Sequence, residues 1–251
     1  MHTTARWTAA GCVALLLAAA LGQGVCAQGA GPQARTVPFR VFAADRTTLL
    51  FTGEYKIERA GGRIAETQRY LSAEGKVAKL DQSVYDAERR RPVSYFSANY
   101  LTGEAFRLTV EGELGAWQSE DAGGAVRSQS AESVPPGTFV WPNLIHVLAQ
   151  EWEKVAAGTR IDVDLFVVSR KMKIGLELKP EDKVSVAGVS GVKVKAEPSA
   201  WLYRQMAPPA FMTVAVDPPH RILMYEGIGA IRAADGKDLE TVVLFDWPAH
   251  P

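Results

Sequence analysis

Hydrophobic and polar residues alternate with a period of two along most of the chain. "TTLLFTGEYKIER", "RIAETQRYLS", "KVAKLDQSVYD", "RPVSYFSANYL" and "AFRLTVEG" follow one another, separated by breaks at Gly61-Gly62, Gly75, Arg89-Arg91 and Gly103. Runs of 5–10 residues with turn signals about every 8–12 residues predict antiparallel meanders. The pattern sharpens in the second half. Ile161, Val163, Leu165 and Val167 share one face of a strand, and Met172, Ile174, Leu176 and Leu178 share one face of the next. "AWLYRQM", "FMTVAVD", "RILMYEG" and "LETVVLFDW" read as further strands, about fourteen in all. One stretch departs from this period. Trp141, Leu144, Leu148, Trp152 and Val155 fall at helical spacing, with Pro142 fitting N1 and Gly158 fitting C′, which predicts a helix over about 142–157. Asn143, His146, Gln150, Glu153 and Lys154 would form its polar side.

A helix with one greasy face requires a greasy surface, and a long twisted sheet supplies it. The expected fold class is mainly β: a curved antiparallel sheet, a half-barrel or open barrel, wrapped on one α-helix. Residues 37–248 form the expected single domain. It follows a signal peptide over 1–27 and a flexible leader over 28–36. Arg6, a short apolar run and Val25-Cys26-Ala27 at the cut carry the signal-peptide assignment. The run is too short for a transmembrane anchor. Cys26 opens the alternative of a lipid anchor, but Gln23 and Val25 do not fit that motif. Export to the periplasm is therefore expected. Both cysteines, Cys12 and Cys26, lie in the segment to be removed, leaving a domain that depends on its core.

The chain balances 28 basic against 28 acidic residues, which gives no pull toward nucleic acid or an anionic membrane. The basic run Arg89-Arg90-Arg91 reads as a solvated turn. Motifs that carry chemistry are missing. His146, His220 and His250 are scattered, without metal-ligand spacing. No G-x-S-x-G elbow and no complete dinucleotide fingerprint occur. Asp162 and Asp164 share a strand face with Glu177 nearby, and the outer face of a sheet, neutralised by Lys171 and Lys173, accounts for them. Neither an enzyme nor a cofactor is expected. The informative signal is apolar. Trp141, Leu144, Leu148 and Trp152 on the helix, with Trp201 and Tyr203 downstream, form one part of a candidate ligand lining. Met206, Phe211, Met212 and Met224 supply its soft, adaptable part.

"VPPGTFVWPNLIHVLAQEWEKVAAGTRIDVDLFVVSRKMKIGLEL", with "VSVAGVSGVKVKAEP" and "FMTVAVDPPHRILMYEG", resembles the middle of periplasmic domain-of-unknown-function proteins that have a long curved sheet and one helix. The resemblance covers about residues 130–246. It implies a half-barrel similar in shape to the bacterial lipoprotein carriers, and brings no activity or site residues. Two functions fit these expectations. One is a carrier holding a lipid or other hydrophobic molecule between sheet and helix, with the helix as lid. The other is an envelope assembly factor that meets a protein partner through an exposed face or edge strand.

Overall fold

The computed structural model describes residues 33–121, 123–228 and 231–248, so the expected signal peptide, with Cys12 and Cys26, lies outside the described residues. Eight strands come first: β1 (Gln33–Ala43), β2 (Leu49–Ala60), β3 (Arg63–Leu71), β4 (Val77–Asp86), β5 (Arg91–Asn99), β6 (Glu104–Glu111), β7 (Leu114–Asp121) and β8 (Val126–Ser133). β9 (Thr138–Phe139) directly precedes the helical segment, and after that segment come β10 (Ile161–Val167), β11 (Met172–Val186), β12 (Val189–Pro198), β13 (Ala210–Ala215), β14 (Ile222–Gly227) and β15 (Thr241–Phe245). All belong to one 15-stranded sheet in the order β8-β7-β6-β5-β4-β3-β2-β1-β15-β14-β13-β12-β11-β10-β9. Its neighbours are antiparallel except for β9 and β10, which pair in parallel through two residues. The N-terminal strands thus continue the same sheet rather than forming a second layer. β1 already pairs from Gln33 with Arg59 of β2, so the end of the expected leader is strand.

Chain connectivity requires the sheet to be rolled. β8 and β9 are its two opposite edges, and only residues 134–137 join them. Fourteen strand spacings of ~4.8 Å would hold the edges of a flat sheet roughly 67 Å apart, whereas the five extended steps from Ser133 to Thr138 span about 17 Å. The edges meet without a shared ladder, and the sheet stays open. Side chains close the gap instead. Phe166 and Val168 pack with Leu108, Val110 and Trp117 of β6 and β7, and Trp117 Nε1 donates to the Val168 carbonyl at 2.7 Å. One end of the sheet therefore laps over the face of the other.

The expected strand faces appear in register. Ile161, Val163, Leu165 and Val167 oppose Leu178, Leu176, Ile174 and Met172. On the other face Asp162 lies opposite Glu177, and Arg160 bridges them, at 3.1 Å from Asp162 and 3.5 Å from Glu177. Lys173 pairs with Asp164 at 3.3 Å, but Lys171 turns to Glu132 of β8.

The expected helix over 142–157 is three short pieces: a 3-10 turn at Trp141–Asn143, α1 (Leu144–Gln150) and α2 (Trp152–Ala156). Glu151 interrupts it with φ −100° and ψ 26°, and its carboxylate is held by Arg90 at 2.8 Å and Lys154 at 2.7 Å. The basic turn is therefore a latch on the helix as well as a solvated loop. Gly158, at φ +72°, ends α2. Its N–H bonds Val155 and that of Thr159 bonds Lys154, the pairing of a Schellman cap.

Leu144, Val147 and Leu148 are fully buried in the main core with Val37, Phe39 and Val41 of β1. Each such side chain contributes about 1.5–3 kcal/mol through burial. Gly53 is required there, because a Cβ at that position would stand 2.2 Å from the Phe39 ring. The helix is amphipathic only in its second half, where Gln150, Glu153 and Lys154 are exposed as expected. Asn143 and His146, expected on a solvated side, are 0% and 4% exposed. "AWLYRQM" is α3 (Trp201–Met206) rather than a strand. It lies between Pro198 and Pro208, has no ladder partner, and is rich in good helix formers.

Candidate functional site

The core helix does not fill the roll. A cavity of about 520 Å³ remains between its first turn and the sheet. That lies within the ~300–1,000 Å³ range of small-molecule sites. Its two walls differ in chemistry.

The apolar wall comes from the second half of the chain. Trp141 and Ile145 of the helical segment face Leu165, Ile174 and Met212, with Tyr225 and Phe245 beyond them. Trp141 stands edge-on to Tyr225, centroids 5.5 Å apart. Tyr203 of α3 reaches the rim.

The polar wall comes from β3, β4 and β5. Glu66, Gln68 and Tyr70 share one face of β3. Opposite them in register stand Ser83, Asp81 and Lys79 of β4. Tyr95, Ser97 and Asn99 of β5 continue the three rows. These nine positions, where the inner face of a sheet normally carries apolar residues, are all polar or phenolic. All but Ser83 line the cavity. On β4 the pattern is inverted. Leu80 and Val84 are half-buried on the outer face while Lys79, Asp81 and Ser83 are buried on the inner one.

The charged and phenolic groups of the wall are paired with one another. Lys79 Nζ lies 2.8 Å from Asp81 Oδ2, and its ammonium stands 5.5 Å over the Tyr70 ring. Tyr95 donates to Asp81 at 3.3 Å, and Tyr70 donates to Gln68 at 3.0 Å. Burial, then the Asp81 charge, pushes the Tyr70 and Tyr95 phenols well above their ordinary value, so both remain protonated donors. At one corner Glu66 accepts from Tyr55 and, at 3.1 Å, from Ser83. His146 Nε2 lies 3.1 Å from Glu66 Oε1, and Tyr85 stacks on the imidazole at 5.6 Å. Burial raises the Glu66 carboxyl, but His146, Tyr55 and Ser83 together outweigh it, and its pKa falls below the ordinary value. Asn143 Nδ2 donates to Ser83 at 3.3 Å. At the rim Arg232 bridges Asp238 at 2.9 Å and Glu104 at 3.4 Å.

The candidate residues read from the sequence divide. Trp141, Tyr203 and Met212 line the cavity. Leu144 and Leu148 point into the sealed core instead, because the helix buries that stripe against the sheet. The segment is thus a core plug whose first turn alone faces the cavity, rather than a lid. Trp152 stacks on His220 at 4.0 Å, anchoring α2 to the turn before β14. Trp201 is 67% exposed, since its segment is helix and turns it outward. Phe211 lies under Lys193 at 4.1 Å from ring centroid to ammonium, on the face opposite Met212. Met224 pairs with Leu244 on the same outer side, and the Met206 side chain lies outside the described set. The polar wall was missed altogether. Its signal was present in the paired polar positions of "AETQRY", "AKLDQS" and "SYFSAN", which leave neither strand face wholly apolar.

Among the described residues no three His, Cys, Asp or Glu side chains converge to hold a metal, and no helix is long and apolar enough to cross a membrane. No family model matches the chain, and no curated protein matches it. Among solved structures it is similar to the β-barrel-like protein of a domain of unknown function, DUF1849, from Brucella abortus. The two share 10% identity with a TM-score of 0.46, over 85% of this chain and 95% of that one.

Proposed function

We propose that this protein binds an amphiphilic, lipid-like small molecule inside its rolled sheet, and that it does so in the bacterial periplasm without catalysing a reaction. The carrying observation is the cavity of about 520 Å³ with one apolar and one polar wall. Exclusion of water from Trp141, Ile145 and Met212 favours an acyl chain or ring system. The uncharged groups that the wall leaves open to the cavity, the Gln68 amide nitrogen and Ser97, favour a ligand with a hydrogen-bonding end. The non-catalytic part of the proposal draws on Glu66. Its two oxygens are occupied by Tyr55 and Ser83, and the adjacent His146 is not among the residues lining the cavity. The periplasmic part draws on the N-terminal sequence. Binding through a sheet edge has less support. β8 reads "VRSQSAES", a run of polar and charged side chains of the kind that blunts edges against pairing.

Native mass spectrometry of the mature protein purified from a bacterial periplasm, with an organic extract of the same sample, tests this. A reproducible added mass that the extract identifies as an amphiphile is expected. A clean unliganded mass, with no uptake of a fluorescent acyl probe, refutes it.

A further inference from the structure

The lining also bears on the class of amphiphile, and this step rests on the cavity being a binding site. Its charges are already matched. Lys79 is paired with Asp81 at 2.8 Å, with the two side chains only 10% and 7% exposed. Glu66 faces His146 at 3.1 Å. Arg232 is held between Asp238 and Glu104. The lining holds the cations Lys79, Arg170 and Arg232 and the carboxylates Glu66, Asp81, Glu104 and Asp238, so it has no positive excess to draw an anion inward. Of these cations only Arg170 lacks an ion pair among the described residues, and it is exposed at the rim, where water screens it.

A carboxylate, phosphate or ammonium entering the polar wall would have to break a buried pair or go unpaired in a desolvated site, and both are costly. Uncharged hydrogen-bonding capacity is still open. Gln68, Tyr95 and Ser97 sit in adjacent rows of the wall and keep part of their surface exposed to the cavity, Tyr95 as an acceptor because its proton goes to Asp81. Gln68 accepts from Tyr70 through its carbonyl oxygen, which leaves its amide nitrogen to donate. Asn99 is already committed, donating to the Arg232 carbonyl and accepting from the Leu101 N–H.

We infer that the polar end of the ligand is uncharged and carries hydroxyl or amide groups that bond Gln68, Tyr95 and Ser97, while its apolar part lies against Trp141, Ile145 and Met212.

Three probes with the same chain and different heads test this on the mature protein at neutral pH: monododecanoylglycerol, dodecanoate and dodecyltrimethylammonium, each titrated below its micelle concentration. The neutral ester is expected to bind at least about tenfold more tightly than either ion, because an ionic head must break a buried pair or stay unpaired. Tyr95→Phe with Ser97→Ala is expected to weaken the neutral probe about three- to tenfold and to leave the ionic probes unchanged. Dodecanoate or the ammonium binding as tightly as the ester overturns the inference while leaving the cavity a binding site. Failure of all three to bind overturns the cavity assignment itself, and the inference with it. Because the head-group series uses the unmodified protein, it stands even where the double variant folds poorly.

Discussion

The Lys79–Asp81 pair gives the sharpest separation between a wall kept for stability and one kept for binding. At 2.8 Å and an effective dielectric of ~20, the attraction is about 6 kcal/mol. Removing two ions from water costs several kcal/mol each. The pair therefore contributes little net stability, although breaking it is expensive. Lys79→Met alone takes the ammonium away from the buried Asp81 carboxylate and is expected to destabilise the fold by about 3–5 kcal/mol, and Asp81→Val alone, which takes the carboxylate away from Lys79, is expected to destabilise it as well. The double variant, with apolar side chains of similar volume at both positions, is expected to return close to the parent stability or exceed it by about 1–4 kcal/mol. Urea unfolding followed by tryptophan fluorescence measures all four proteins in one double-mutant cycle. The same double variant is expected to bind monododecanoylglycerol more weakly than the parent, because the row carrying Ser97 and Gln68 loses its central polar residue. A double variant as unstable as either single one, with ligand affinity intact, refutes the assignment of this wall to binding.

Three further perturbations follow from the same structure. Leu148→Ala, at a fully buried position in the core away from the cavity, should cost about 2–5 kcal/mol in urea unfolding and leave ligand affinity unchanged. Trp117→Phe removes the donor at 2.7 Å from the Val168 carbonyl. It should destabilise by about 1–3 kcal/mol and speed hydrogen exchange in β10 before the rest of the sheet. Glu66 has a lowered pKa in the fold, so its contribution is complete above the ordinary carboxylate range and is lost as pH falls through the lowered folded value. Thermal midpoints measured on acidification should fall less steeply in Glu66→Gln than in the parent, and identical slopes would remove Glu66 from the account.

Much of the fold was legible because its signals are local. Period-two alternation in "IDVDLFV" and "MKIGLEL" named the buried face of both strands, and the observed register places Ile161 opposite Leu178 and Leu165 opposite Ile174. The helix start and stop were legible in Pro142 and Gly158. Two features were not. Alternation alone cannot tell which face of "KVAKLDQSVYD" turns inward. Hydrophobicity argues for Leu80 and Val84, whereas the register with β3 and β5 turns Lys79, Asp81 and Ser83 in. A local rule broken across three adjacent strands is what a binding wall would produce, and it is one reason this wall is proposed as the site. Likewise, His146 looked solvated because its partner, Glu66, lies far away in sequence on β3, a contact that only the rolled sheet creates. "AWLYRQM" was misread for a different reason. Short apolar runs do not separate strand from helix by periodicity, and no neighbouring strand was available to hold it extended.

A crystal structure of the protein grown with monododecanoylglycerol tests the central claim most directly. The glycerol head is expected within hydrogen-bond distance of Gln68, Tyr95 or Ser97, and the acyl chain running past Trp141 toward Met212. An empty cavity at saturating ligand, or a chain seated only on the outer face of the sheet, would contradict it.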